Sequence, residues 1–223
     1  MAVVVLLGAP GAGKGTQAPI LADRLDIPIL ASGDLLRSVA AGDSSIAREV
    51  GEIMRAGELV PDDMIVKIFL DRLDQPDARR GAVLDGFPRT RAQAEALDRA
   101  LADRGQGVDL AVLIHVPVED LVRRMSDRLV CTADSHVYNL RSNPPRTPGI
   151  CDIDGSPLRH RADDAEDTIR ARMAQQLPPL EEVVDHYRRQ GILATIDGLQ
   201  PIEAVTPDVL TAVAPLVADS ATG

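Results

Sequence analysis

Ala2–Leu7, AVVVLL, runs straight into GAPGAGKGTQ at residues 8–17, and this junction constrains the fold more than any other part of the chain. A continuous β-branched and aliphatic run reads as a strand buried on both faces, the situation of a parallel sheet covered by helices. The glycines that follow permit positive φ angles and close backbone approach, and a helix is expected from about Gly13. Pro19 falls in its second turn, where it removes one backbone donor and is expected to bend the helix. Successive N–H groups of Gly11, Ala12, Gly13, Lys14 and Gly15 can point into one concavity at the positive end of that helix, an arrangement that binds phosphate. Lys14 adds a point charge for the β and γ oxygens of a nucleotide. The plain alternative, a glycine-rich turn with a surface lysine, is disfavoured by the strand before it and the helix after it. Gly8, Gly13 and Lys14 keep the usual phosphate-loop spacing, but Gly15 occupies the hydroxyl position and Thr16 comes one residue late.

The alternation continues. Further strands are expected at 27–30, 82–84, 110–116 and 192–196, and helices at about 33–41, 45–55, 62–74, 90–103, 118–129, 164–189 and 207–217. This order predicts an α/β fold, a doubly wound parallel sheet of the phosphate-loop NTPase type. At 223 residues and 45% hydrophobic the chain can bury one sizeable core with an inserted subdomain, built from Val, Leu, Ile and Ala because aromatics are only 2%. Residues 130–161 break the pattern: they are rich in Pro, Gly, Asn, Asp and Ser and have no helical period. They read as a small β-rich insertion that serves as a mobile cover. A net charge of −10 argues against a general nucleic-acid or anionic-membrane binder, so an anionic ligand needs a local basic pocket. No charged leader and no apolar run near the ~20 residues of a membrane span are evident, and a cytoplasmic location is expected.

Beyond the loop stand SGDLLR at 32–37, GELVPD at 57–62, LDGFPRTRAQ at 84–93, RADD at 161–164 and TIRARM at 168–173. Together with GAPGAGKGTQ, these segments resemble the adenylate kinases, from residue 4 to about 198. The GKGT order is usual in that family, and the 130–161 insertion resembles the long lid of its bacterial forms. The resemblance implies a single kinase domain with a core of 1–31, 61–129 and 162–223, an AMP-binding region of 32–60 and the lid. It implies reversible phosphoryl transfer between ATP and AMP to give ADP, with Mg²⁺ carried by ATP, in a monomer that binds neither nucleic acid nor membrane. The alternatives are a UMP/CMP or GTP-using relative and, from another class, a nucleotide-dependent switch. A GTPase switch would carry an Asn-Lys-x-Asp run; neither Asn139 nor Asn143 is followed by Lys.

Transfer between two nucleotides concentrates negative charge, so cations must converge. The resemblance assigns catalysis to Lys14, Arg89, Arg128, Arg161 and Arg172. It gives ATP the loop from Gly11 through Ala12, Gly13, Lys14, Gly15 and Thr16, together with Arg128, Val137, Tyr138 and Gly198. AMP is assigned Ser32, Arg37, Glu58, Leu59, Val60, Gly86, Phe87, Pro88, Arg89, Gln93, Arg161 and Arg172. Arginine suits phosphate through its planar fork, and the Gln93 amide can both donate to and accept from an adenine edge. Ser32 replaces the threonine usual in bacterial members. Asp85 closes a strand, where it can order water around Mg²⁺ or act as a turn aspartate. Asp163 and Asp164 can cap the next helix or, as the resemblance implies, hold arginine and lid geometry.

Cys131, Asp134, Cys151 and Asp154 form two C-x-x-D pairs. In similar lids these positions carry three cysteines and a cysteine or aspartate around structural Zn²⁺, which accepts oxygen ligands as well as sulfur. His136 can replace one aspartate. A metal-free network of hydrogen bonds and a Cys131–Cys151 disulfide, disfavoured in a reducing compartment, remain open at this point.

Overall fold

A computed structural model of the protein describes residues 1–56, 60–134, 136–160 and 164–220. In chain order the elements are β1 (Ala2–Leu7), α1 (Lys14–Leu25), β2 (Ile29–Ala31), α2 (Ser32–Ala40), α3 (Ser45–Ala56), α4 (Asp62–Leu73), β3 (Gly81–Asp85), α5 (Arg91–Ala102), β4 (Leu110–His115) and α6 (Val118–Ser126). There follow β5 (Arg128–Cys131), β6 (Val137–Asn139), β7 (Leu158–Arg159), α7 (Glu166–Arg189), β8 (Leu193–Asp197) and α8 (Ile202–Ser220). They belong to two compact units, the first made of Met1–Gly8, Gly13–His115 and Pro179–Gly223, the second of Ala9–Ala12 and Val116–Pro178.

The first unit is built on a sheet of order β2-β3-β1-β4-β8 in which every neighbouring pair is parallel. Two-sided burial of β1 follows from its sequence: Val3, Val4 and Val5 are fully buried and Leu6 and Leu7 nearly so. Val3, Val5 and Leu7 join Leu84, Leu97, Leu101, Phe69, Phe87 and Tyr187 in one core. Aliphatic side chains thus do most of the filling, and the Phe69 and Phe87 rings stack at 4.2 Å. In the doubly wound topology the loop after β1 lies where β3 and β4 leave on opposite sides, the position where such sheets bind ligands.

The second unit carries the insertion as an antiparallel sheet of order β6-β5-β7. Its own core is small, comprising Leu129, Cys131, Tyr138 and Cys151 with Leu158 packed against them.

Two helices depart most from expectation. The helix expected over 118–129 stops at Ser126, because Arg128 and Leu129 pair with Asn139 and Tyr138 in the insertion sheet. A cross-strand partner that is distant in sequence overrides the local helical pattern. The last helix starts at Ile202 rather than 207, so Pro207 lies inside it instead of in its first turn. Pro19 likewise lies inside α1. The helix over 164–189 is observed as α7, although Pro178 and Pro179 remove two helical N–H donors in its middle. The boundary between the two units falls between these prolines.

Candidate active site

In the first unit the site grows from the end of β1. Gly13 caps α1 at φ 105°, a left-handed value a side chain would strain. The N–H groups of Thr16 and Gln17 are turned back to the Gly13 carbonyl at 3.0 and 3.3 Å. Gly15 and Thr16 are exposed. Half-buried Lys14 donates through Nζ to the Gly8 carbonyl at 2.7 Å, which holds the ammonium at the start of the loop. Burial pulls its pKa below the usual lysine range, Asp85 opposes that shift and Arg89 adds to it. Asp85 ends β3 and shifts the other way: burial raises its carboxyl, Lys14 and Arg89 restrain the rise, and Asp34 adds to it. Two cations and a carboxylate therefore share one field at the start of α1.

Arg89 is fixed by its neighbours. Its Nε donates to the Gly86 carbonyl at 2.8 Å and its terminal nitrogen to Ser32 Oγ at 3.1 Å. Ser32 opens α2 and is buried. Gly86, at φ 75°, has to be glycine on two counts, because a Cβ there would lie 2.8 Å from Ser32 Oγ. Arg37 is exposed on α2 and pairs with Asp34 at 2.5 Å. Gln93 is buried in the first turn of α5, whose N-cap Thr90 accepts its backbone N–H. Its Oε1 accepts from the Arg89 N–H and its Nε2 donates to Asp62 Oδ1, both at 2.7 Å. Phe87, Pro88 and Val60 are buried, and the Phe87 ring belongs to the core, so its backbone is what it can offer a ligand. The Gly198 N–H donates to the His115 carbonyl at 2.8 Å. Glu58 and Leu59 lie outside the described residues.

In the second unit lie Gly11, with φ 84°, and Ala12, whose N–H donates to the Ala9 carbonyl at 3.1 Å. Arg128, at the start of β5, makes a two-pronged bond to Asp164, with Nε to Oδ2 at 2.8 Å and the terminal nitrogen to Oδ1 at 2.5 Å. The Asp164 side chain is wholly buried. The carboxylate considered for a cap therefore holds an arginine, fixing the guanidinium plane across a gap of 36 residues. Arg172 sits half-buried on α7, while Arg161 and Asp163 are outside the described residues. Strand alternation sends Val137 outward, 59% exposed, and Tyr138 into the insertion's core. There its hydroxyl accepts from the Asp152 N–H at 2.8 Å, so the ring is committed to the insertion and Val137 is the side chain open to a ligand.

The metal-ligand set that converges is Cys131, His136, Cys151 and Asp154, with one donor atom from each within 4.8 Å of all the others. Asp134, expected as a ligand, is replaced by His136. The Cys131 N–H donates to the His136 carbonyl at 2.9 Å, which brings His136 beside Cys131, whereas Asp134 lies in the intervening turn with its side chain 80% exposed. His136 Nδ1 faces Cys151 Sγ and Asp154, each at 3.4 Å, and Nε2 faces Asp134 at 3.5 Å. Backbone donation from Ser156 and the thiol of Cys131 hold the Asp154 carboxyl well below the usual range. Burial pushes both thiols up; at Cys151 the Tyr138 hydroxyl, backbone N–H groups and His136 outweigh it and bring the thiol below its ordinary value. Both cysteines are free thiols. Two sulfurs, one imidazole nitrogen and one carboxylate oxygen at this spacing fit a tetrahedral zinc ion.

Sequence reasoning passed over Asp62. It closes the quoted GELVPD segment, yet its bond to Gln93 spans 31 residues and depends on how α4 meets α5.

The sequence profile of the adenylate kinase family matches residues 6–192. An adenylate kinase of Streptomyces avermitilis is 41% identical over 210 residues, covering 94% of this chain and 96% of the relative. One from Caldicellulosiruptor saccharolyticus is 41% identical over 209 residues, with 94% and 97% covered. One from Staphylococcus aureus is 39% identical over 207 residues, with 93% and 96% covered.

Proposed function

The chain belongs to the adenylate kinase family, and we propose that it transfers the terminal phosphoryl of ATP to AMP, reversibly, giving two ADP. The observation that carries this reading is the Lys14, Asp85 and Arg89 group at the mouth of the glycine loop. A cation drawn partly out of water acts more strongly on a developing phosphoryl charge than one in bulk solvent. Lys14 and the N–H groups of Gly11, Gly13, Lys14 and Gly15 hold the ATP phosphates, while those of Ala12 and Thr16 bond the Ala9 and Gly13 carbonyls. Arg37 and Arg89 hold the AMP phosphate, with Ser32, the 58–60 segment, the 86–89 segment and Gln93 around the nucleoside. Arg128, kept in one orientation by Asp164, serves ATP together with Val137 and the backbone at Gly198. Arg161 and Arg172 stabilise the migrating group. The acceptor phosphate oxygen is already ionised at neutral pH, so no side chain has to take a proton.

Mg²⁺, when bound with ATP, neutralises charge between the phosphates, and Asp85 would hold its water. Cys131, His136, Cys151 and Asp154 would hold a structural zinc that staples the lid. Residues 32–60 form the AMP-binding region and 130–161 the lid, with β5 opening two residues earlier at Arg128. The reading carries a monomer in the cytoplasm; no helix among the described residues is long and apolar enough to cross a membrane.

Turnover with ATP against a panel of AMP, UMP, CMP and GMP tests the proposal. AMP is expected to be preferred, and efficient use of UMP or CMP with little use of AMP overturns it. Lys14→Met is expected to lower kcat by about 10²- to 10³-fold with the circular dichroism spectrum retained.

A further inference from the structure

The Gln93 amide is held from both ends: Nε2 donates to Asp62 Oδ1 and Oε1 accepts from the Arg89 N–H, each at 2.7 Å, in a residue only 8% exposed. A carboxylate can only accept and a backbone N–H can only donate, so one assignment of the amide is compatible with both partners. Turning it over would set two acceptors against each other at Asp62 and two donors at Arg89, each left unsatisfied near the interior. A side-chain amide has two N–H groups and two carbonyl lone pairs, so one donor and one acceptor remain, in a fixed sense.

That sense matters to a purine. Adenine presents its 6-amino donor beside a ring-nitrogen acceptor, whereas a 6-oxopurine presents a carbonyl acceptor beside an N–H. For a base held in one orientation through its ribose phosphate, an amide of one sense matches the first and the turned amide matches the second.

We propose that Asp62 is a positioning residue that fixes the sense of the Gln93 amide and so makes the monophosphate site select a 6-aminopurine over a 6-oxopurine. This rests on the reading that the AMP base lies against Gln93. Asp62 is the first residue of α4, directly after the N-cap Pro61, where a carboxylate also favours the helix dipole. A role in the helix alone would alter melting without altering base choice.

The test compares AMP with IMP as acceptors, with ATP as donor, in the unmodified protein, Asp62→Asn and Asp62→Ala, alongside thermal melting. Asn at 62 can present either a donor or an acceptor to Gln93, so the hold at that end is lost and only the Arg89 N–H still favours the original sense. The ratio of kcat/KM for AMP to that for IMP is expected to fall about tenfold in both variants. The change is expected in KM, which rises for AMP and falls for IMP, with kcat for AMP nearly unchanged. An unchanged ratio in a folded Asp62→Asn protein, with the unmodified chain preferring AMP, overturns this inference alone, as does an equal loss with both acceptors. An unmodified chain that prefers IMP overturns the proposed function and this inference together.

Discussion

The role proposed for Asp85, holding water on Mg²⁺, needs a carboxylate that its surroundings disfavour. Burial raises its carboxyl above the ordinary value while Lys14 and Arg89 restrain the rise. Between the ordinary carboxylate value and the raised one, the native state holds more protons at this site than the unfolded chain does. Its contribution to stability therefore falls as pH rises through that window. In Mg²⁺-free buffer, Asp85→Asn is expected to raise Tm relative to the unmodified protein, by an amount that grows as pH rises above the ordinary carboxylate value. Thermal melts across that range check the trend, and a difference that is flat or reversed would show that Lys14 attraction outweighs burial. The same variant is expected to lose about 10- to 100-fold in Mg²⁺-dependent turnover, the scale found for groups that orient metal-bound water. At this scale the sequence was most legible where a residue's role is set by its immediate neighbours. Gly13 and Lys14 are placed by the turn from β1 to α1, and Arg89 by the short Gly86–Arg89 stretch whose carbonyl and N–H groups it uses. Asp62 and Asp164 were not legible to the same degree, since each acts on a partner 31 or 36 residues away.

The three-stranded insertion, proposed above as a lid, shows what one element can and cannot do alone. Its buried set is Leu129, Cys131, Tyr138 and Cys151, and half of that set is thiol-bearing, so apolar burial is meagre for a three-stranded sheet. Backbone bonds between β5 and its neighbours supply register, but water competes for them at exposed edges. A metal ion held by Cys131, His136, Cys151 and Asp154, as proposed above, would tie the two turns together directly. Protein purified without an affinity tag is expected to contain about one equivalent of zinc, and chelation is expected to melt the lid before the core. Less than about a tenth of an equivalent, unchanged after zinc is offered to the reduced protein, would remove the metal. His136→Ala is expected to lose the ion, whereas Asp134→Ala retains it with weaker affinity, because Asp134 touches only the far ring nitrogen. Metal analysis of the two variants separates the observed ligand set from the one that two C-x-x-D pairs suggest. The spacing suggested a cluster of metal-ligating side chains; the choice between Asp134 and His136 needed the turn geometry. The same limit explains the helix expected to run to 129, whose last residues are claimed by pairing with β6.

Across the whole molecule, the two units differ in how firmly each is held. The first buries β1, β3 and β4 among Phe69, Phe87, Tyr187 and a large aliphatic set, whereas the insertion in the second has Tyr138 as its one aromatic. Amide hydrogens in β1, β3 and β4 are therefore expected to exchange only through global unfolding, and those of β5, β6 and β7 through cheaper local opening. Phosphoryl transfer makes the second expectation useful. A transferring group exposed to water is lost to hydrolysis, so an enzyme of this reaction must order its covering segments when both nucleotides are present. Two adenosines joined by five phosphates occupy both sites with one molecule. On the function proposed above, this probe should slow exchange in β5–β7 and in α2 and α3 together. The β1, β3 and β4 amides, already protected, change only as far as added binding energy stabilises the whole fold. Hydrogen exchange followed by mass spectrometry resolves these segments. Protection confined to residues 8–16, with the lid and the 32–56 helices unchanged, would mean that the loop binds phosphate without the rest of the chain responding, and the assignment of residues 130–161 as a lid would fail.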